Sequence, residues 1–406
     1  MADNKKFAKL ICCTEANNNK YYQMTERGDG NFDVEYGRVD VTKQHDEYPM
    51  SKWDTKYKEK VKKGYKDMTH LYVVSEAKAD VKVTDIADTA VRTVVKQLQA
   101  YANATVTENY NISQENVTQA MVDEAQGIVN ELAAIAAKGM NITSINNNLL
   151  KLYTVIPRKM RLVKDHLLKN DADVKEINKL IETEQLTLDT MAGQVMLLSS
   201  QKAIGQDKDI KHVSLLDQLG ITMAIADDKE TEMIKNMLGP DANRLVRAYR
   251  TECLKTKSSY EKHLIKATDK KVDMFFHGSR NQNWFNIIQT GLMIRPSGAI
   301  YTGSMFGDGI YFADKAAKSI GYSSLNGSYW TKGNSAQGFL AIFATHVGNQ
   351  KHITKHNSDC YKLSKNILSK DNFDSVFAHG GADLRNNEYI VYEMSQCTIK
   401  YLIELK

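Results

Sequence analysis

Long apolar runs, a charge excess and a cysteine framework are all missing from this 406-residue chain. No stretch approaches the roughly 18 to 20 consecutive apolar residues that a membrane-spanning helix needs, and the start, Met1-Ala2-Asp3-Asn4-Lys5-Lys6, carries no apolar signal core. The chain is therefore expected to be intracellular, with no membrane partner. The five cysteines, Cys12, Cys13, Cys253, Cys360 and Cys397, are odd in number and never spaced Cys-x-x-Cys. That usage suits a reducing compartment and argues against a disulfide scaffold. Lys and Arg number 54 against 49 Asp and Glu, a net charge of +5, which excludes a histone-like polycation. Any nucleic-acid contact has to be a local patch. Two nucleotide-binding signatures are absent as well. No Gly-x-Gly-x-x-Gly opens a helix, and Gly303-Ser304-Met305-Phe306-Gly307-Asp308-Gly309 lacks the Gly-Lys-Ser/Thr ending of a phosphate-cradling loop.

What is present changes texture twice along the chain. The apolar share of 42% suffices for real cores, and at about 100 to 200 residues per domain two or three domains are expected. Residues 1–80 read as β-rich, with strands at Lys20 to Thr25 and Phe32 to Val39 around the turn Gly28-Asp29-Gly30. A lysine-rich helix follows over Ser51 to Lys66, with Trp53, Tyr57 and Tyr65 among its lysines. Such interleaving suits stacking on bases and neutralising phosphates; an amphipathic helix with its aromatics on a core explains it equally well. Residues 84–200 switch to helical spacing: Ala90, Val94, Leu98 and Ala102, then Met121, Ala125, Ile128, Leu132 and Ile135 up to Gly139, then Ile145, Leu149 and Leu152 before Pro157, then Val174, Ile177, Ile181 and Leu188 after the N-cap candidate Asp173. These stripes predict an all-α bundle without chemistry of its own. The Lys and Asn cluster around Asn146 to Asn148 reads as a turn or helix cap. Residues 205–406 show short strands at Ser214 to Ala226, Arg244 to Thr251, Asp273 to His277, Gly309 to Phe312, Phe339 to Val347, Glu388 to Glu393 and Thr398 to Leu405. With few helices between them, they predict antiparallel sheets, and the whole chain a multidomain α+β protein.

Three segments of the last two hundred residues carry chemistry. In Arg385-Asn386-Asn387-Glu388-Tyr389-Ile390-Val391-Tyr392-Glu393, alternation puts Glu388 at the edge of an apolar strand, either as a functional carboxylate or as a strand-end charge facing water. His277-Gly278-Ser279-Arg280 closes the strand Met274-Phe275-Phe276, so that an imidazole, a glycine backbone able to pair with a carboxamide, and a hydroxyl come together. Gly309-Ile310-Tyr311-Phe312-Ala313-Asp314 places a tyrosine on a strand, and Lys318-Ser319-x-x-Tyr322 follows. Two tyrosines and a serine could hold an aromatic amide. A metal site is not expected: His352, His356 and Cys360 fall four apart, one face of a helix if helical, but no zincin glutamate follows and Lys351 and Lys355 dilute the cluster.

Taken together, His277-Gly278-Ser279, Gly303-x-Met305-Phe306-Gly307-x-Gly309-Ile310-Tyr311-Phe312-Ala313-Asp314 and Asn387-Glu388-Tyr389-Ile390-Val391-Tyr392 resemble, in order and spacing, the histidine, tyrosine and glutamate motifs of the poly(ADP-ribose) polymerase catalytic domain. Residues 84–200, best at Leu152-Tyr153-Thr154-Val155-Ile156-Pro157, resemble the helical regulatory domain that precedes that fold. Residues 1–80 resemble a WGR domain, with Tyr36-Gly37-Arg38 in place of Trp-Gly-Arg. The resemblance implies a WGR-like nucleic-acid-binding domain, a helical regulatory domain and, over 205–406, an ADP-ribosyltransferase domain. It also implies NAD⁺ as a consumed substrate rather than a cofactor, with ADP-ribose passed to acceptor proteins, the chain itself included, and DNA with strand breaks as a stimulating partner. The compartment would be the nucleus in a eukaryote and the cytoplasm in a bacterium.

By the same resemblance the catalytic set is Glu388, His277 and Tyr311. Glu388 would stabilise the oxocarbenium-like ribose and polarise the acceptor hydroxyl, and His277 would hold the adenosine ribose. Gly278 and Ser319 would bind the carboxamide, and Tyr311 and Tyr322 the nicotinamide face. Ser279, Asn283, Arg295 and Lys318 would support NAD⁺, Met305 would line the acceptor side, and Tyr36, Arg38 and Trp53 would contact DNA. The chain departs from the pattern at Met293, where an arginine near the adenine is usual, at Asp308, where a basic residue is usual, and at Tyr36. Single-unit transfer and a non-catalytic DNA-binding scaffold are the competing readings.

Overall fold

The computed structural model describes residues 5–39, 41, 43–72, 86–109, 117–139, 141–173, 214–294 and 305–406, with separate positions between 176 and 195. They fall into two compact units, one drawn from 1–78 and 104–195, the other from 79–103, 196–297 and 302–406. No helix among the described residues is long and apolar enough to cross a membrane.

In the first unit, strands β1 (Phe7–Thr14), β2 (Asn18–Glu26), β3 (Asn31–Arg38), β4 (Gln44–Pro49) and β5 (Lys66–Asp67) form an antiparallel sheet in the order β4-β3-β2-β1-β5. Period-two alternation serves both faces. Ala8, Leu10, Tyr22, Met24, Phe32 and Val34 cover one side together with Trp53 of helix α1 (Trp53–Lys62). Ile11 and its cross-strand partner Tyr21 turn the other way, into a core shared with α3 (Gln119–Gly139) and α4 (Ile142–Val155). The expected stripes are the buried ones: Met121, Ala125, Ile128 and Leu132 on α3, and Ile145, Leu149 and Leu152 on α4. Asn141 caps α4 by accepting from the Ser144 amide at 2.9 Å. Asp173 and Glu176 form a reciprocal capping box, at 2.9 and 3.2 Å, as the sequence suggests, although Val174 lies outside the described residues.

Asn146 to Asn148 are neither a turn nor a cap but lie inside α4. Asn146 is buried, and its carboxamide exchanges two 2.9 Å hydrogen bonds with the Leu168 backbone. A buried amide satisfied in this way is tolerated in a helix interior.

The second unit holds two sheets. One is antiparallel, in the order β6-β7-β14-β10-β8, with β6 Ile221–Ile225, β7 Leu245–Cys253, β8 Val272–Gly278, β10 Gly338–His346 and β14 Cys397–Leu405. The other runs β11-β12-β13-β9, with β9 Ile310–Phe312, β11 Gln350–Ile353, β12 Ser375–Ala378 and β13 Glu388–Val391. Its β11–β12 pair is parallel, a departure from the expected antiparallel pattern. The sheets are joined where Phe276 meets Ala313 through reciprocal bonds of 2.8 and 3.0 Å. Every position of β10 is buried, so the strand shows no alternation that could mark its faces. Ser214 to Ala226 divides into a helical turn, Leu215–Gln218, capped by Ser214, and β6, because a capping box competes with extension there.

Helix α2 (Thr89–Asn109), expected as part of the bundle, contributes residues 89–103 to this second unit. Val91, Val94, Val95 and Leu98 are buried there with Trp284, Phe339 and Phe343.

Arg38 decides the junction within the first unit. Its guanidinium donates to the Asn17 carbonyl (2.7 Å) and side chain (2.9 Å) and to the carbonyls of Met160 (3.3 Å) and Arg161 (2.9 Å). Arg38→Ala leaves those acceptors without a charged donor and should lower stability by about 2–3 kcal/mol. The urea midpoint reads this directly; an unchanged midpoint would make the junction independent of Arg38.

Candidate active site

Four segments of the second unit meet around the joint between the sheets. The end of β8 carries His277 and Gly278, β9 carries Tyr311, the helix Ala316–Ile320 carries Lys318 and Ser319, and β13 begins at Glu388. Antiparallel register explains the gathering. Tyr389 lies opposite Phe312 and Ile390 opposite Tyr311, while β9 adjoins β8 through Phe276 and Ala313. His277 and Glu388 therefore approach from the two sides of one short strand.

Glu388 does not face water: it is only 8% exposed, and Lys318 holds its Oε1 in a salt bridge between two nearly buried side chains. Its Oε2 is buried with no hydrogen-bond partner among the described residues. The residues on either side are pinned to a single carboxylate. Asp314 accepts from Asn387 Nδ2 at 2.8 Å and from the Tyr389 hydroxyl at 3.3 Å. The Tyr389 ring is further stacked between Phe275 (4.1 Å) and Phe377 (4.6 Å). A buried carboxylate with one engaged oxygen and one orphaned oxygen is suited to accept a hydroxyl or to face developing positive charge.

His277 Nδ1 donates to the Tyr311 carbonyl at 3.0 Å, which fixes the tautomer because a carbonyl can only accept. The ring is packed edge-on against Trp284, Phe312 and Phe343. Gly278 admits no side chain, since a Cβ there would lie 1.9 Å from the Ser319 carbonyl oxygen. Ser319 is itself buried. Ser279 Oγ accepts from Asn283 Nδ2 at 3.0 Å, and Asn283 Oδ1 is buried without a partner among the described residues. The Tyr311 hydroxyl donates to the Gly307 carbonyl (2.8 Å) and accepts from the Phe306 amide (2.9 Å). Burial pushes this phenol well above its usual range, so Tyr311 offers a neutral ring rather than an acid or base. Tyr322 is half-buried. The carbonyl of Met305 accepts from His356 Nε2 at 2.9 Å. Among the departures, Met293 is exposed, and burial raises the Asp308 carboxyl above the normal carboxylate range. Arg295 lies outside the described residues.

The three residues expected to contact DNA belong to the first unit and have separate environments. Trp53 is a core residue, 4% exposed and edge-on to Phe32 at 5.0 Å. Arg38 makes the junction described above. Tyr36 is half-buried, 5.8 Å from the Tyr22 ring, with Lys60 5.7 Å from its centroid.

The conditional metal cluster does not assemble. His352 lies on β11 against His379 (2.8 Å), His356 turns to Met305, and Cys360 is buried in a short 3₁₀ turn. No group of three or more potential ligands exists among the described residues. Sequence reasoning gave Asp314 no role, although it stands two residues beyond the strand that pairs with β13. Extending the pairing of Phe312 with Tyr389 by two residues sets Asp314 opposite Asn387.

A sequence model of the poly(ADP-ribose) polymerase catalytic domain matches residues 229–406, a span that includes all four segments of the site. The chain is 31% identical over 207 residues to the uncharacterized protein 101L of Invertebrate iridescent virus 6, covering 51% of this chain and 83% of that protein. It is also 31% identical over 167 residues to the putative poly [ADP-ribose] polymerase-like 100L of the same virus, covering 40% of this chain and 87% of that protein. With poly [ADP-ribose] polymerase 1 of Gallus gallus, identity is 25% over 320 residues, covering 71% of this chain but only 30% of the bird protein.

The 1.9 Å approach at Gly278 generates a prediction. Gly278→Ala must push the Ser319 backbone away, and a displacement of about 1 Å in a catalytic site lowers turnover on the order of 10²-fold. NAD⁺ turnover should fall by that amount while circular dichroism stays native; wild-type turnover would show that the backbone approach is dispensable.

Proposed function

Because the chain belongs to the poly(ADP-ribose) polymerase catalytic-domain family, and is thereby an NAD⁺-dependent ADP-ribosyltransferase, we propose that it builds poly(ADP-ribose) on acceptor proteins, itself included. Loss of nicotinamide leaves positive charge on the ribose, and a carboxylate lowers the energy of that state. Glu388 is the group for this task, and the same carboxylate polarises the hydroxyl that attacks next. The observation that carries the reading is the burial of Glu388, with Lys318 on one oxygen and, among the described residues, no partner on the other. His277 holds the adenosine ribose, and the Gly278 backbone with Ser319 receives the carboxamide. Tyr311 and Tyr322 flank the nicotinamide, Ser279 and Asn283 support the dinucleotide, and Met305 lines the acceptor side. Arg295 is assigned on resemblance alone.

Stimulation by broken DNA is the second part of the proposal, assigned to the β-rich residues 1–80, with residues 84–200 as the regulatory bundle. Its support is a basic and aromatic cluster on α1 and the neighbouring sheet. Lys56 lies 4.2 Å from the Tyr48 ring, and Lys60 lies 4.2 Å from Tyr22 and 5.7 Å from Tyr36 and Tyr65. The lysines supply phosphate neutralisation and the half-buried Tyr36, Tyr48 and Tyr65 a stacking surface, while Tyr22 belongs to the core beneath them. Such a protein acts in the nucleus of a eukaryotic cell or in bacterial cytoplasm.

Glu388→Gln keeps the shape and removes the charge. Polymer synthesis from labelled NAD⁺ should drop by about 10²- to 10³-fold, read as product length and rate on a gel. Long polymer from the variant would remove Glu388 from the mechanism. Nicked DNA should raise the NAD⁺ turnover of the full chain and lose that effect as salt is raised. Equal turnover with and without DNA would leave the first unit without a sensing role.

A further inference from the structure

Beside the site, the loop between the helix Ala316–Ile320 and β10 carries two aromatic rings exposed to a degree that packing alone does not favour. Tyr329 is 76% exposed and Trp330 60%. Trp330 is nevertheless held. Its ring is stacked on Tyr322, with centroids 5.9 Å apart and planes at 21°, and Tyr329 meets it edge-on at 4.7 Å.

The loop is built to keep that arrangement. Trp330 N and Thr331 N both donate to the Gly321 carbonyl, at 2.9 and 3.3 Å. Thr331 Oγ1 donates to the Ser323 carbonyl, and Ser323 Oγ and Ser328 Oγ both donate to the Ile320 carbonyl, at 2.8 and 2.9 Å. Further along, Asn326 N donates to the Ser335 carbonyl at 2.8 Å, and Ser335 N to the Ser324 carbonyl at 2.9 Å. Two glycines allow the close approach. A Cβ on Gly321 would lie 3.1 Å from Trp330 Cδ1, and one on Gly333 would lie 2.4 Å from the Leu325 carbonyl oxygen.

We propose that Trp330 is a positioning residue that backs the Tyr322 ring, so that the loop 323–335 forms the rear wall of the nicotinamide end of the NAD⁺ site. This rests on the reading of Tyr322 given above. A tyrosine stacked on an indole cannot swing about its side-chain bonds without losing that contact, so a flat pyridine ring meets it from a single, preset side. The rotamer is chosen before substrate arrives, and binding does not have to order it.

The test uses the full chain with Trp330→Ala, Trp330→Leu, Trp330→Phe and Tyr322→Ala, and reads KM and kcat for NAD⁺ together with quenching of tryptophan fluorescence by nicotinamide. Trp330→Ala and Trp330→Leu should raise KM about three- to tenfold, as expected for one aromatic contact, with kcat changed less than about twofold. Trp330→Phe should restore most of the affinity. Nicotinamide should quench a smaller fraction of the tryptophan emission in all three tryptophan variants than in the wild type; an equal fraction would separate Trp330 from the nicotinamide end. Trp330→Leu keeps an apolar side chain, so loss of fold in Trp330→Ala would not remove the test. If Tyr322→Ala raises KM and Trp330→Leu does not, the positioning role is wrong while the reading of Tyr322 stands. If Tyr322→Ala leaves KM at the wild-type value, that reading fails and the inference falls with it.

Discussion

The buried pair of Lys318 and Glu388 is the interaction that the second unit is arranged around. A carboxylate taken out of water costs several kcal/mol unless a partner comes with it, and here a single ammonium engages one of its oxygens. The other oxygen is buried and, among the described residues, unsatisfied, an expensive state that a well-packed strand start can enforce. Enforcement comes from neighbours rather than from Glu388 itself. Asp314 ties down Asn387 and Tyr389, and the stack Phe275–Tyr389–Phe377 prevents β13 from sliding. A sheet strand cannot shift by one residue without turning every side chain to the opposite face. Fixing Tyr389 therefore fixes Glu388.

Lys318 reaches the pair from a helix of five residues whose next residue, Ser319, sets its carbonyl against Gly278. One short element thus supplies a cation to one side of the site and closes the backbone gap on the other. The lack of a Cβ at residue 278 and the position of the Lys318 ammonium are parts of the same placement. Moving the helix to admit a side chain would pull the lysine away from the carboxylate, so the steric and electrostatic demands of the site cannot be relaxed separately.

How much of this could be read from the chain follows from where the periodicities are clean. β13 was legible because a charge opens an otherwise apolar alternation, and α3 and α4 because their stripes run for several turns. β10 reads only as an apolar run because both of its faces are covered, and β11 escaped because Ile353 is the single apolar residue of its four. Composition left two readings open at Trp53, a stacking face among lysines or an aromatic on a core, and the indole lies in a core. It was silent about Arg38, whose use depends on carbonyls more than a hundred residues away. Trp330 left no signal either, since its partner is Tyr322, eight positions earlier, across a turn that only Gly321 and a set of serine and threonine hydroxyls make possible.

The order of the motifs along the chain also has a structural reason. Among the described residues the two sheets join at the bridge of Phe276 to Ala313, and β9 is the strand that pairs on one side with β13 and on the other touches β8. A histidine following Phe276, a tyrosine two residues before Ala313 and a glutamate at the start of the strand opposite β9 are then brought together by backbone pairing alone. The hydrogen bond from His277 to the Tyr311 carbonyl is the visible seam of that arrangement. Widely separated residues can form one site here because the link between them is a register rather than a loop, and a register leaves little conformational freedom for the side chains at its ends.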